Sequence, residues 1–296
     1  MSGGPTPMRL RVAVVLALLA GPVAAEPASC PTLKAALEAA TGSRMTAPVA
    51  GPDGDWCVFD TAVLQAEGAP DVTAARLRLR GQMTDGALAE LALEAGGLRV
   101  KPGFAARDMD PALRETLRLQ VADLAFEVSA GPEGLALRDA SLRLSGGTEL
   151  TLAADLAGAG LSSGALVVGR LTRLDLDWRN DGRLLRPGMQ AWGERLVDGA
   201  RGEAGVDAAR LALRQLAQNL PGSLFLGDGW DRLEALLDAL PQGRGRLRLE
   251  VRSAEGIGLA RVGLAALSDA PLGPEALAKL FDGVKVVVDW TPGIAP

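Results

Sequence analysis

Apolar and polar residues alternate along Leu117–Trp178, and short glycine turns cut the alternation into strand-sized lengths. Leu117-Arg118-Leu119-Gln120-Val121 runs into Leu124-Ala125-Phe126-Glu127-Val128, and Gly131-Pro132-Glu133-Gly134 turns the chain. Leu135-Ala136-Leu137 and Leu142-Arg143-Leu144 follow, then Gly146-Gly147, Glu149–Leu156 and finally Leu174-Asp175-Leu176-Asp177-Trp178. Successive side chains of a strand point to opposite faces, so a period of two predicts a sheet with one apolar and one wet face. The apolar parity shifts between Val121 and Ala122 and again between Leu137 and Leu142. Each shift predicts a bulge or bend, the device by which a sheet curls. Ala75–Arg80, Leu88–Leu93 and Leu98–Val100 carry the same pattern upstream, with the spacing of an antiparallel meander.

After Trp178 and the turn Arg179-Asn180-Asp181-Gly182, helical periodicity takes over until Leu240. Met189–Val197 is a first helix. Asp207 is placed as the N-cap of a second, Ala208–Asn219, with Leu211, Leu213, Leu216 and Leu220 on its apolar face. Trp230, Leu233, Leu236, Leu237 and Leu240 follow the i, i+3, i+4, i+7 rule in a third. Arg246–Val251 returns to strand, Pro274–Phe281 is a short helix, and Val284–Trp290 a closing strand. Leu174–Trp178 and Val286–Trp290 both end in Asp-Trp, which suggests equivalent positions in the sheet. The fold class expected is α+β: a large, mostly antiparallel, curved β-sheet, with the helical segment Met189–Leu240 packed on its apolar face.

The first segment reads as a targeting signal. Met8-Arg9-Leu10-Arg11 is basic, Val12–Ala20 apolar, and Val23-Ala24-Ala25 a small-residue cleavage site. The apolar run is too short to span a bilayer as a helix, and charges break every later one, so no membrane span is expected in the mature chain. Four parts follow: residues 1–25 a signal peptide, 26–62 a disulfide-stapled helix and strand, 63–182 the β meander, and 183–296 the helical cover with returning strands, continuous with the meander. The expected location is the periplasm. In such an oxidising compartment the two cysteines, Cys30 and Cys57, are expected to pair. The bridge joins a helix over Pro31–Ala40 to the strand Trp56-Cys57-Val58-Phe59, and restricts the unfolded chain by about 3–4 kcal/mol in the loop-entropy view.

Composition narrows the chemistry. The chain has no His, which removes Ser-His and Cys-His nucleophile pairs and His-based metal sites. A net charge of -5 argues against nucleic acid. Aromatics make up 3%, so the core must be mostly Leu, Val and Ala. Asp53, Asp55 and Asp60 with Gly51 and Gly54 form an acidic loop, but it lacks the ligand spacing of a calcium loop, and an ordinary turn is the preferred reading. Asp175 and Asp177, with Asp181 beyond, offer paired carboxylates for hydrolysis. Arg173 and Arg179 beside them favour surface ion pairs instead. Gly227-Asp228-Gly229-Trp230 reads as a loop, cap and first-turn anchor. No catalytic, cofactor-binding or metal residue is assigned.

The strand ladder carries a resemblance. Segments such as Leu135–Leu156, within Ala74–Trp178, are similar to the repeated β-units of the AsmA-like proteins of the Gram-negative envelope. That resemblance implies a curled sheet with an apolar interior that handles lipid. No anchor is read in this chain and it is short, so a long lipid conduit is not expected. The function expected first is a non-catalytic periplasmic protein that binds an apolar ligand such as lipid, or serves envelope maintenance. The candidate lining is Leu142, Leu144, Leu150, Leu152 and Leu156 from the strands, with Leu233 and Leu236 from the helices. The alternatives are an accessory or scaffold subunit that binds a protein partner through its sheet edge, and a carboxylate-dependent hydrolase.

Overall fold

A computed structural model describes residues 25–67, 71–101, 111–161, 163–183, 185–260 and 273–293. The leader expected over 1–25 lies outside them except for Ala25. In chain order the elements are β1 (Glu26–Pro27), α1 (Cys30–Thr41), β2 (Arg44–Thr46), β3 (Val49–Asp53), β4 (Trp56–Gln65), β5 (Asp71–Thr84), β6 (Ala87–Lys101), α2 (Pro111–Leu119), β7 (Ala122–Gly131), β8 (Gly134–Leu144) and β9 (Glu149–Ala157). Then follow α3 (Ser163–Val167), β10 (Arg170–Asn180), α4 (Leu185–Leu196), α5 (Glu203–Gln218), the 3-10 turn Gly222–Leu224, α6 (Gly229–Ala239), β11 (Gly245–Gly258), α7 (Pro274–Leu280) and β12 (Val284–Pro292).

The twelve strands of the described residues form one sheet in which β4 to β12 lie side by side in sequence order. β2 and β3 pair with the outer edge of β4, and β1 with β5. Every named pair is antiparallel, and the short turns from β5 to β6, β7 to β8 and β8 to β9 fit that pairing. The register aligns the alternation seen in sequence. Phe59, Leu77, Ala95, Leu124, Leu142, Leu150, Trp178, Leu247 and Trp290 form one cross-strand row. The two Asp-Trp pairs thus sit at one level on either side of β11.

The expected parity shift between Leu137 and Leu142 is a β-bulge. The register slips between Leu137 and Ala140, with Asp139 at φ 51°. One residue is absorbed, so both leucines keep to the apolar face. The shift at Val121 has another cause. The strand expected over Leu117–Val121 is absent, because α2 runs to Leu119 and β7 begins only at Ala122. Pro111 opens α2 with a preset φ, and Arg118 in its last turn pairs with Glu115 at 3.0 Å.

The apolar side chains collect in separate clusters. One gathers Leu33, Leu37, Cys57, Phe59, Leu77, Leu79, Leu91 and Leu93, so it joins α1 to the strands from β4 to β6. α1 is placed for this by Ser29, whose hydroxyl accepts the Thr32 N–H at 3.4 Å, and by Pro31 in its first turn. A second cluster joins Val251, Ile257, Val284, Val286 and Val288 to Leu224, with Leu233 and Phe281 against it. A third holds Met189, Val206, Ala209 and Leu240, with Leu185, Leu213 and Leu237 around them and no strand residue.

The helical region is therefore not one uniform cover. α4 and α5 pack on each other, while α6 lies against β12. Leu211 and Leu216, expected on the buried face of α5, are 58% and 51% exposed. The buried stripe is instead Gly205, Val206, Ala209 and Ala217. A side chain on Gly193 of α4 would overlap the backbone of Gly205, so the two helices meet backbone to backbone. Small residues permit that approach, and the long leucines are turned outward. The helix also starts at Glu203 rather than after Asp207, because Gly202, at φ 59°, makes the turn into it.

Candidate functional site

The disulfide expected between Cys30 and Cys57 is present, with a Cα–Cα distance of 5.5 Å. It fastens the first residue of α1 to the start of β4, beside the buried Phe59.

The candidate lining residues fall into two groups. Leu142 and Leu144 on β8 and Leu150 and Leu152 on β9 share the apolar face of neighbouring strands, with Leu142 directly opposite Leu150. β10 adds Trp178 opposite Leu150 and Leu176 opposite Leu152. All six are partly buried, and none belongs to the clusters formed by the described residues. They make an apolar seam between the two sheet cores. Leu156 instead packs on the α1 side, Leu233 on the β12 side, and Leu236 is buried within α6, so these three do not join the seam. Trp178 and Leu176 were readable as apolar strand positions. Only the register of β9 with β10 identifies them as seam neighbours.

The opposite face carries a lattice of ion pairs. Asp177 takes a two-pronged hydrogen bond from Arg246, with Nε at 2.8 Å from Oδ1, and Arg248 Nε stands 3.5 Å away. These contacts, the Arg246 hydrogen bond first, hold the Asp177 carboxyl below its ordinary range despite partial burial. Burial pushes the Asp175 carboxyl up, but Arg252 Nη1 at 2.6 Å and Arg173 Nε at 2.7 Å outweigh it, and its pKa is also lowered. Asp155 is bridged by Arg138 at 2.6 Å and Arg173 at 3.8 Å. Neither Asp175 nor Asp177 is tuned to hold a proton near neutral pH, which a general acid requires.

An open groove of about 510 Å³ crosses β8–β11 and is lined by Ser141, Thr151, Ala153, Asp175, Asp177, Arg248 and Glu250 among others. Those residues alternate with the apolar row Ala140, Leu152, Leu176 and Leu249, so the groove lies on the ionic face, above small side chains. It is not an apolar cavity.

The remaining sequence candidates resolve into structure. Asp53 meets Arg76 at 3.7 Å and Arg78 at 3.6 Å, and Arg78 stacks 4.5 Å from the centre of the Trp56 ring. Among the described residues no group of three or more His, Cys, Asp or Glu is placed to hold a metal ion. Asp181 accepts from Thr148 Oγ1 at 2.8 Å and pairs with Arg183. Asp228 precedes α6 and pairs with Arg232 at 2.9 Å, while Trp230 packs edge-on against Phe225 at 5.4 Å.

The sheet edge at β12 is partly occupied. The Leu226 N–H donates to Val286 O at 2.9 Å, Lys285 Nζ reaches Ser223 O at 3.1 Å, and α6 lies against the strand. Among the described residues no helix is long and apolar enough to cross a membrane. Comparison with known proteins finds no family model and no curated protein that matches the chain.

Proposed function

We propose that this is a non-catalytic periplasmic protein that binds an apolar ligand, with a lipid acyl chain the best-suited chemistry, in the service of envelope maintenance. One observation carries the reading: Leu142, Leu144, Leu150, Leu152, Leu176 and Trp178 stand in register on one face, partly open and outside the packed clusters. Apolar surface left contiguous and accessible marks a binding site more often than a packing defect. Five leucines and one tryptophan supply greasy area with almost no hydrogen-bonding groups, which suits an acyl chain better than a water-soluble metabolite. The fold behind this proposal is a curved sheet whose apolar face packs with α1 on one side and with α6 on the other, and whose seam between them is partly exposed among the described residues. Bulges in β6, β8, β10 and β11 favour that curvature. Export through the leader, the Cys30–Cys57 bridge and the AsmA-like pattern of Ala74–Trp178 all agree with an envelope lipid-handling role. A partner pairing along β12 has less support, since α6 and residues 223–226 already guard that edge.

Delipidated protein is expected to take up a fluorescent fatty-acid analogue saturably. Leu152→Trp, which adds bulk at the seam, is expected to weaken that uptake at least fivefold with the melting temperature preserved. Non-saturable uptake, or equal uptake by the variant, rules the seam out as the ligand site.

A further inference from the structure

The connection from β9 to β10 leaves three consecutive large apolar residues in water. Leu166, Val167 and Val168 are 43%, 55% and 68% exposed. Leu166 and Val167 end the short helix α3, and Val168 follows it. The backbone is held at the base of this tip: the Gly169 N–H donates to Leu166 O at 3.1 Å, and Gly169 O accepts from the Leu259 N–H at 3.0 Å. Ala159, 7% exposed, and Leu161 tie the base of the connection to the α1-side core. A side chain on Gly169 would collide with Ala159, so the base is close-packed while the tip is exposed. From residue 156 to residue 169 the chain carries no charge. Asp155, just before that stretch, is neutralised by Arg138 and Arg173, and Arg170, just after it, is exposed.

We infer that the Leu166–Val168 tip docks the protein on a lipid bilayer surface. Consecutive residues of a helical turn project about 100° apart, so the three side chains radiate from a knob and do not form one face. A protein groove would cover one side of such a knob, whereas fluid acyl chains surround it. Together the three expose on the order of 300 Å² of apolar surface, below the roughly 800 Å² that each partner gives a stable protein interface. Entry into lipid also requires that backbone groups be satisfied internally and that charges stay outside. The hydrogen bonds at Gly169 satisfy Leu166 O and the base of the turn, and the stretch from residue 156 to residue 169 brings no charge into the lipid. Exposed Arg170, whose Nη2 donates to Gly256 O at 3.3 Å, is the first charge after the tip and is available to lipid phosphates. Shallow insertion of this size gives weak, reversible attachment. The docking element is separate from the seam and does not depend on a ligand there.

The test uses the full exported chain and phosphatidylcholine vesicles. The wild type is expected to float with the vesicles, and a Leu166→Ser, Val167→Ser, Val168→Ser triple variant to lose at least tenfold in vesicle partition at an unchanged melting temperature. Leu211→Ser with Leu216→Ser, at other exposed leucines, is expected to change nothing. Should the triple variant melt early, Val167→Trp supplies an independent reading: its emission shifts to the blue on vesicle addition and is quenched by lipids brominated near the headgroup. Absence of wild-type flotation overturns the inference, as does equal flotation of the triple variant. Loss of a wild-type dimer in the triple variant, without vesicle binding by either, also overturns it and assigns the tip to a second copy of the chain. Fatty-acid uptake by the triple variant in vesicle-free solution stays at the wild-type level, so failure of docking and failure of the seam are told apart.

Discussion

Truncating one leucine on the seam and one in the core separates a ligand site from a packing defect. Leu79 is fully buried against α1 and β6. Its replacement by Ala removes buried methyl groups and leaves a cavity, at a cost of about 3–5 kcal/mol. Leu150 is only partly buried and lies outside the packed clusters, so Leu150→Ala loses transfer energy alone, about 1 kcal/mol, with no closed cavity behind it. In a chain of this size 1 kcal/mol corresponds to a melting shift of roughly 2–4 °C. Without ligand, Leu150→Ala is therefore expected to melt within about 4 °C of wild type, and Leu79→Ala roughly 10 °C or more below it. Ligand reverses the order of damage. A fatty acid at a hundred times its Kd stabilises the wild type by about 2.7 kcal/mol through mass action. Leu79→Ala keeps most of that increment, because its side chain faces the α1 cluster. Leu150→Ala loses half of it or more. Differential scanning fluorimetry with and without fatty acid reads both numbers from the same samples. A Leu150→Ala variant that melts as low as Leu79→Ala, or that keeps the full ligand increment, refutes the reasoning and makes the seam ordinary interior.

Three further outcomes are expected. Reduction of Cys30–Cys57 releases a 27-residue separation, so the reduced protein should unfold at lower urea by an amount equivalent to about 3 kcal/mol; an unchanged midpoint would contradict this. Gly193→Ala and Gly188→Ala lie in the same helix but differ in what the new methyl meets, the Gly205 backbone in the first and nothing in the second. The first should destabilise by about 2–3 kcal/mol despite its better helix propensity and the second should stabilise by about 0.5–1 kcal/mol; urea curves moving in the same direction would exclude the close crossing of α4 and α5. Because Asp177 has a lower pKa folded than unfolded, its contribution is fully present above about pH 4 and is lost as pH falls through the folded value. Asp177→Asn should flatten the loss of stability below about pH 4 by up to about 1 kcal/mol, a small effect since the pair is partly exposed; equal slopes in acid titrations of both proteins would count against the Arg246 contact.

Local pattern made most of the sheet legible. Alternation marks a strand because the pleat itself has a period of two, so Ala75–Arg80, Leu135–Leu156 and the closing strand at Val284 were readable. Leu88–Leu93 and Leu98–Val100, expected as separate pieces of the meander, instead belong to the single strand β6, which runs through Gly96 and Gly97. The bulge at Asp139 was visible as a break in parity, since only an extra residue keeps Leu137 and Leu142 on one face. Two solitary cysteines on neighbouring predicted elements were enough to expect their bridge. The helical region was harder to read. Leu211 and Leu216 look like core in a helix of the right period, yet the close approach of Gly193 to Gly205 selects the small-residue stripe and turns the leucines outward. Leu117–Val121 alternates like a strand, but Pro111 and the Glu115–Arg118 pair hold most of it as helix. The site follows the same division. That Leu142, Leu150 and Leu152 lie on an apolar face is a local property of their spacing. That they meet Leu176 and Trp178, stand apart from Leu233 and Leu236, and remain partly open depends on strand register and on where the helices come to rest. Those are long-range choices made by packing, and no local pattern encodes them.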